Sequence, residues 1–304
     1  MNVLVVGSVA LDSVETPVAK HVDILGGSAS FFSVTASILV PVRLVAVVGQ
    51  DFPEEHIELF RSRKVDVTGL QRAAGRTFRW SGRYLPDMVR RETLDTQLNV
   101  FADFRPQLPA PFRDSPYLFL ANIDPDLQEQ VLKQVDHPKL VACDTMNFWI
   151  TGKLASLKHV LRSVGVLLLN DEEARQLSGE HSLLKAAAAI RKLGPGRVVV
   201  KRGDAGALLF DEAGMFWAPA YPLDNVVDPT GAGDSFAGGF VSYLAHTDDL
   251  RPAELRRAMI YGSAIASFCV EDFSLNRFRT LERAEVAQRC RKFDELVRFE
   301  EIVL

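Results

Sequence analysis

From Tyr117 onward, short apolar runs and helix-patterned segments take turns. Tyr117–Ala121, Leu140–Cys143, Val164–Leu169 and Arg197–Lys201 read as strands buried on both faces. Leu127–Val135, Leu154–Arg162, Glu172–Leu177 and Leu183–Leu193 read as helices. A strand with no wet face needs a cover on each side, so this alternation predicts a parallel sheet with helices on both faces. Upstream, Val3–Val6 ends in Gly7 and Leu44–Val48 is closed by Gly49, and both read as buried strands. Ser28–Leu39 and the amphipathic Glu54–Arg63 read as helices, and Val65–Val67 starts another extended piece. Ala207–Phe210 and the segment around Met215–Pro219 predict a terminal antiparallel hairpin. Pro252–Val270 and Leu281–Phe293 predict closing helices.

Gly75–Val100 departs from this pattern. Large and polar residues alternate over Thr77–Tyr84, a charged turn follows at Asp87–Arg91, and Thr93–Val100 alternates again. That is a hairpin with one wet face. With the extended Val14–Ile24 it predicts a three-stranded flap. The expected organisation is one α/β domain over residues 1–304, with a small β-sheet lid formed by 14–24 and 75–100.

Charge and cysteine usage narrow the function. The net charge of −4 gives no basic field for nucleic acid or a membrane surface. Three scattered cysteines suit a reduced, cytoplasmic setting better than a disulfide framework, and the six histidines show no metal-ligand spacing. The start MNVLVVGSVALD has no basic region and meets Gly7 and Asp12 too early for a signal peptide. No run reaches membrane-spanning length. Gly7-Ser8-Val9-Ala10 after the first strand is not the GxGxxG of a dinucleotide-binding fold.

The stretch with the most chemistry is Val227–Phe240, VDPTGAGDSFAGGF. Gly231, Ala232 and Gly233 put almost no side-chain bulk on a turn, so backbone N–H groups can approach an anion. The run Ser235–Ala245 suits a helix whose N-terminus favours negative charge at the same place. Asp234 sits just inside that helix. A carboxylate beside an anion hole can take a proton from a hydroxyl while a phosphoryl group is stabilised. Read bare, the stretch is a tight turn with an acidic first-turn residue.

DPTGAGDSFAGGF closely resembles the C-terminal signature of the ribokinase-like (PfkB-type) kinase family. The resemblance implies an α/β, doubly wound, mostly parallel sheet and ATP-dependent phosphorylation of a hydroxyl on a sugar, nucleoside or similar small molecule. It implies Asp234 as base and Gly231, Ala232 and Gly233 as the anion hole. Other segments fit the same family. Asn170-Asp171-Glu172-Glu173 follows a strand, where ligands of open α/β sheets gather. Read bare, it is an N-cap with acidic first-turn residues. The family's Asn-x-x-Glu motif implies Asn170 and Glu173 at magnesium and phosphate. Lys201 and Gly203 match the family's nucleotide loop, with Gly206 and Ser263 as further implied nucleotide contacts; alone, Lys201 is as readily a solvated charge. Asp144-Thr145-Met146-Asn147 only loosely resembles a segment under the γ-phosphate, and Asn147 reads as a turn residue.

For the acceptor, the resemblance implies Asp12 as a partner of substrate hydroxyls, and Gly26 and Gly27 as a pair that lets backbone approach. Without the family, Asp12 would be an Asx turn. One departure stands out. The family usually has Asn five residues after the first Gly, and here that position is Phe31. Phe31 facing the site would favour a flat acceptor; Phe31 and Phe32 both in the core is the plain alternative. Asp228 and Thr230 permit a monovalent cation, K+ in relatives, and equally a plain turn hydrogen bond. The sequence thus reads as a sugar kinase using ATP and Mg2+. A nucleoside kinase is the first alternative, and a catalytically inactive member with a binding or regulatory role is the second. A homodimer through the lid is expected, as in several relatives.

Overall fold

The computed structural model describes residues 1–298 and 300. Thirteen strands form along the described chain: β1 (Val3–Val6), β2 (Ala10–Glu15), β3 (Lys20–Gly26), β4 (Val42–Val48), β5 (Val65–Arg72), β6 (Phe78–Tyr84), β7 (Arg91–Gln97), β8 (Tyr117–Leu120), β9 (Leu140–Asp144), β10 (Val166–Asn170), β11 (Arg197–Lys201), β12 (Ala207–Asp211) and β13 (Gly214–Ala218). Nine of them make one sheet in the order β13-β12-β11-β10-β9-β8-β1-β4-β5. The seven from β11 to β5 run parallel, and β12 and β13 close one edge as the expected antiparallel hairpin.

The apolar runs explain this sheet. In β1, Val3 and Val5 enter one core while Leu4 and Val6 enter the other, and all four are fully buried. The first core lies under α1 (Ser28–Ala36), α2 (Glu54–Ser62), α8 (Ala232–Thr247), α9 (Pro252–Cys269) and α10 (Arg283–Val297). The second lies under α3 (Pro125–Leu132), α4 (Asn147–Gly152), α5 (Leu154–Leu161), α6 (Asp171–Ser178) and α7 (Leu183–Arg191). The chain winds outward from β1 through β4 and β5, then returns to β8 on the other side of β1. The strand order reverses between β1 and β8, so a crevice opens at their C-terminal ends. Gly7 and Ala121 end these two strands so closely that a Cβ on Gly7 would come 2.6 Å from the Ala121 Cβ.

Two excursions from the main sheet, β2–β3 and β6–β7, pair as a second sheet in the order β3-β2-β6-β7. It has four strands, not three. Val14–Ile24 is not one extended piece, because Thr16 and Pro17 turn the chain. Thr16 N–H donates to Ala19 O at 2.9 Å, the Thr16 hydroxyl accepts from Val18 N–H at 3.2 Å, and proline offers no N–H to a ladder. Strand β7 is exposed throughout, while Val14 and Tyr84 on the inner side pack with Phe273 in a third, small core.

Other differences are local. Strand β4 starts two residues early, because Arg43 lies inside it and carries its charge out to Asp114 at 2.7 Å. Asn147 starts α4 rather than standing in a turn, and its Oδ1 accepts from Phe148 N–H at 2.9 Å. Helix α8 begins at Ala232, three residues before the apolar run, because Gly231 takes the left-handed conformation just ahead of it. Among the described residues no helix is long and apolar enough to cross a membrane.

Candidate active site

Gly231 sits at φ 76°, ψ 1°, where a side chain is strained, and it turns the chain into α8. The first-turn N–H groups of α8 have no acceptor inside the helix, so the turn Gly231-Ala232-Gly233 presents donors and the positive end of the helix dipole. Asp234 follows as the third helical residue. Lys201, the last residue of β11, reaches the same place: a Cβ on Gly233 would come 3.1 Å from its Nζ. Lys201 Nζ also lies 2.8 Å from Asp144 Oδ2, at the end of β9.

Asn170 ends β10 and caps α6. Its Oδ1 accepts from Glu173 N–H at 2.8 Å, and Glu173 Oε2 accepts from Asn170 N–H at 2.8 Å. This reciprocal capping box is the N-cap reading of the segment realised. It also fixes Glu173 close enough to Asp144 and Lys201 for each to shift its titration. The Asn-x-x-Glu spacing therefore positions a carboxylate by capping a helix with it.

Asp12 lies on β2, buried at 6% exposure, opposite Ile24 and Trp80. Its carboxylate fills the space where a Gly26 side chain would stand, and it accepts from the backbone of Gly27. The Gly26-Gly27 pair thus makes room for Asp12. Asp228 is 1% exposed; its Oδ1 accepts from Thr230 N–H at 2.9 Å and its Oδ2 from Ser274 N–H at 3.4 Å. The Thr230 hydroxyl lies 3.3 Å from Tyr84 OH, which ties the second sheet to this loop.

Burial pushes the carboxyls of Asp12, Glu173 and Asp234 up to about 7. The neighbouring charge of Asp144 adds to the rise for Glu173 and Asp234. Lys201 goes the other way from an ordinary buried lysine. Burial favours its neutral form, but Asp144, Glu173 and Asp234 outweigh it and hold the ammonium charged.

Phe31 is corrected. It is 2% exposed, part of the core under α1 and α8, and a Cβ on Gly231 would fall within its ring. Phe31 supports the left-handed turn from below and offers no open face to a pocket. Phe32 is fully buried too and stacks on Phe119 with centroids 4.1 Å apart. Gly203 opens a short turn after β11, and Gly206 at φ 80° is needed because a side chain there would strike Ala218 O. Ser263 is buried within α9, and among the described residues no hydrogen bond ties it to the acidic cluster. Asn147 is exposed.

The motifs missed three participants. Asp144 was only loosely matched, Tyr84 had no motif, and Arg91 at the head of β7 stands opposite Tyr84 in the register. The alternation of β6 and β7 carried the signal for the last two, but the strand pairing was needed to use it.

A donor turn, a lysine and carboxylates form a set suited to a nucleotide's phosphates and a hard cation. Thr145 Oγ1, beside Asp144, is buried without a hydrogen-bond partner, which leaves an orphan donor for a bound group. Among the described residues no three acidic, cysteine or histidine side chains cage a metal by themselves. Magnesium, which keeps waters and shares phosphate oxygens, needs no such cage.

The pfkB family carbohydrate kinase model matches residues 5–278. The cytidine kinase of Thermococcus kodakarensis is 28% identical over 255 residues, covering 80% of this chain and 88% of that protein. The nucleoside kinase of Methanocaldococcus jannaschii has a similar structure, with a TM-score of 0.76 at 20% identity over 96% of this chain and 98% of that one. A fructokinase double mutant of Vibrio cholerae, in a fructose, ADP and potassium ion bound form, gives a TM-score of 0.77 at 18% identity over 95% of this chain and 98% of that one.

Proposed function

This chain belongs to the pfkB family of carbohydrate kinases, and we infer that it transfers the γ-phosphoryl group of ATP to a hydroxyl of a small sugar-like acceptor with Asp234 as general base. The observation that carries this reading is the placement of Asp234. It stands in the first turn of α8, behind the donor turn and beside Lys201, with its carboxyl raised to about 7. A base that titrates near neutrality can take a hydroxyl proton in the transition state. The N–H groups of Gly231, Ala232 and Gly233 then face the charge that grows on the phosphoryl oxygens. Lys201 donates to phosphate from the sheet side, held there by Asp144. Asp12 accepts from acceptor hydroxyls and orients the one that reacts.

Asn170 and Glu173 would hold magnesium, Glu173 partly through water, and the ion would neutralise phosphate charge there. The Val227–Thr230 loop is proposed to hold a monovalent cation, K+, which a comparison of K+ with Na+ in the assay tests. The small sheet is proposed to act as a lid that excludes competing water. Its exposed Val22 and Leu94 are proposed to be covered by a second copy of the chain; light scattering on the purified protein tests that.

A nucleoside acceptor is the second reading. It is favoured by the cytidine kinase relative, which matches four fifths of this chain. Phe31 no longer argues for it. A coupled ADP-release screen over sugars and nucleosides separates the two. Asp234→Asn should lose roughly 10²–10⁴-fold in rate while keeping ATP binding. ADP release at the wild-type rate from the Asn variant would remove Asp234 as base. No release with any acceptor by the wild type would favour the inactive member.

A further inference from the structure

Arg91 belongs to no motif in this chain, yet the fold brings it to the reaction. It opens β7 at the edge of the small sheet and pairs across to Tyr84. Tyr84 OH touches the Thr230 hydroxyl, one residue before Gly231. The Arg91 guanidinium lies 5.5 Å from the centroid of the Trp80 ring, and Trp80 pairs with Asp12 across β6 and β2. One guanidinium is thereby linked through Trp80 to the strand that carries Asp12 and through Tyr84 to the loop that leads into the anion turn. Its charge is felt at Asp12 and at Asp234 on α8, where it opposes the burial that raises both carboxyls. Among the described residues no carboxylate lies within 4.0 Å of it. The cation therefore stands near the acidic cluster without closing onto it.

We propose that Arg91 binds the phosphoryl group in transit, so that seating of the small sheet completes the charge balance of transfer. This rests on the kinase reading above. In that step the acceptor oxygen forms a bond to the γ-phosphorus. The bond from that phosphorus to the β–γ bridging oxygen breaks, and its electron pair leaves with ADP. The hydroxyl proton goes to Asp234. Arg91 exchanges no atom: its planar fork of N–H groups donates to two phosphoryl oxygens, a geometry that lysine cannot reproduce. It contributes most where charge is spread over those oxygens. Because Arg91 rides on the sheet and Lys201 on the core, ATP bound before the sheet is seated lacks one of the two side-chain cations that serve its phosphates. That protects ATP from water.

The test compares wild type, Arg91→Gln and Arg91→Lys. Binding of MgADP alone and of MgADP with aluminium fluoride is titrated calorimetrically. Arg91→Gln should leave MgADP affinity unchanged and weaken the aluminium fluoride complex about 10²-fold, the size of one lost transition-state donor. Arg91→Lys should fall between the two. In the ADP-release assay kcat should drop while KM for ATP holds, a split that a merely structural role would not give. Equal affinity of all three proteins for the aluminium fluoride complex overturns the proposal. So does a loss confined to KM for acceptors that carry an anionic group, which would make Arg91 a reader of the acceptor. If the wild type itself fails to bind MgADP with aluminium fluoride, the kinase reading falls and this proposal with it.

Discussion

Lys201 Nζ stands 2.8 Å from Asp144 Oδ2 and against Gly233, so one ammonium joins the ends of β9 and β11 to the start of α8. Asp144 is buried and Lys201 half-buried, with side-chain exposures of 6% and 18%. Removing one leaves the other uncompensated. Lys201→Met should therefore destabilise the fold by about 3–5 kcal/mol and abolish transfer. Adding Asp144→Asn to the same chain should return much of the stability and none of the activity. Urea unfolding and ADP release measure the two. A Lys201→Met protein as stable as wild type would mean that the pair is not shielded from water.

Phe31 gives a second outcome. Its ring lies against Gly231, and both belong to the support of the anion turn. Phe31→Asn should cost about 3–5 kcal/mol, since it removes a large buried ring and leaves an amide without partners. The rank order of acceptors should stay the same among molecules that still fold. A stable Phe31→Asn protein with a changed preference would put the ring back in the pocket.

Much of this architecture was legible in the sequence because its strands are apolar on both faces. Tyr117–Leu120 and Val166–Asn170 could only be covered strands, and the alternation with helices then left a parallel sheet. The small sheet was less legible. Its strands alternate, but its order depends on β2 pairing parallel to β6 across more than sixty intervening residues, which no local pattern encodes. The anion turn was visible because its chemistry is local: three small residues, then an acid. Asp144 and Arg91 were not, because each acts through a neighbour far away in sequence. Phe31 failed for a different reason. A motif position names a place in the chain, and only packing decides which way a ring at that place turns.

Glu173 should separate capping from metal binding. Its Oε2 accepts the Asn170 N–H, and a glutamine oxygen can do the same. Glu173→Gln should leave α6 intact and, at pH 5 where the raised Glu173 carboxyl is still protonated, the thermal midpoint nearly unchanged. The magnesium concentration for half-maximal rate should rise, because one charge near the metal is lost. ATP binding without magnesium should hold. Superimposable magnesium titrations would take Glu173 out of the metal site and leave it a cap.

The raised carboxyls make stability and activity respond to pH in opposite directions. Asp12 and Asp234 ordinarily titrate near 3.8 and Glu173 near 4.5, and in the folded chain all three sit at about 7. Between those limits the folded chain holds more protons than the unfolded one, so stability falls as pH rises through the window. The exposed Asp87, held down at about 2 by the Arg90 and Val89 N–H groups and the Arg90 side chain, acts only below that window. His56, which burial keeps neutral, works the other way near its usual 6.5. The clean quantity is therefore the difference between wild type and Asp234→Asn. That difference in thermal midpoint should grow in favour of the variant from pH 5 to pH 8, because asparagine has no proton to lose. Over the same range kcat/KM of the wild type should climb through about 7 as the Asp234 carboxyl becomes the free base. Magnesium with ATP should stabilise the wild type more at pH 8 than at pH 5, since it meets ionised carboxylates only there. A midpoint difference that stays constant across this range would show that Asp234 titrates as an ordinary exposed carboxyl, and the base assignment would lose its electrostatic support.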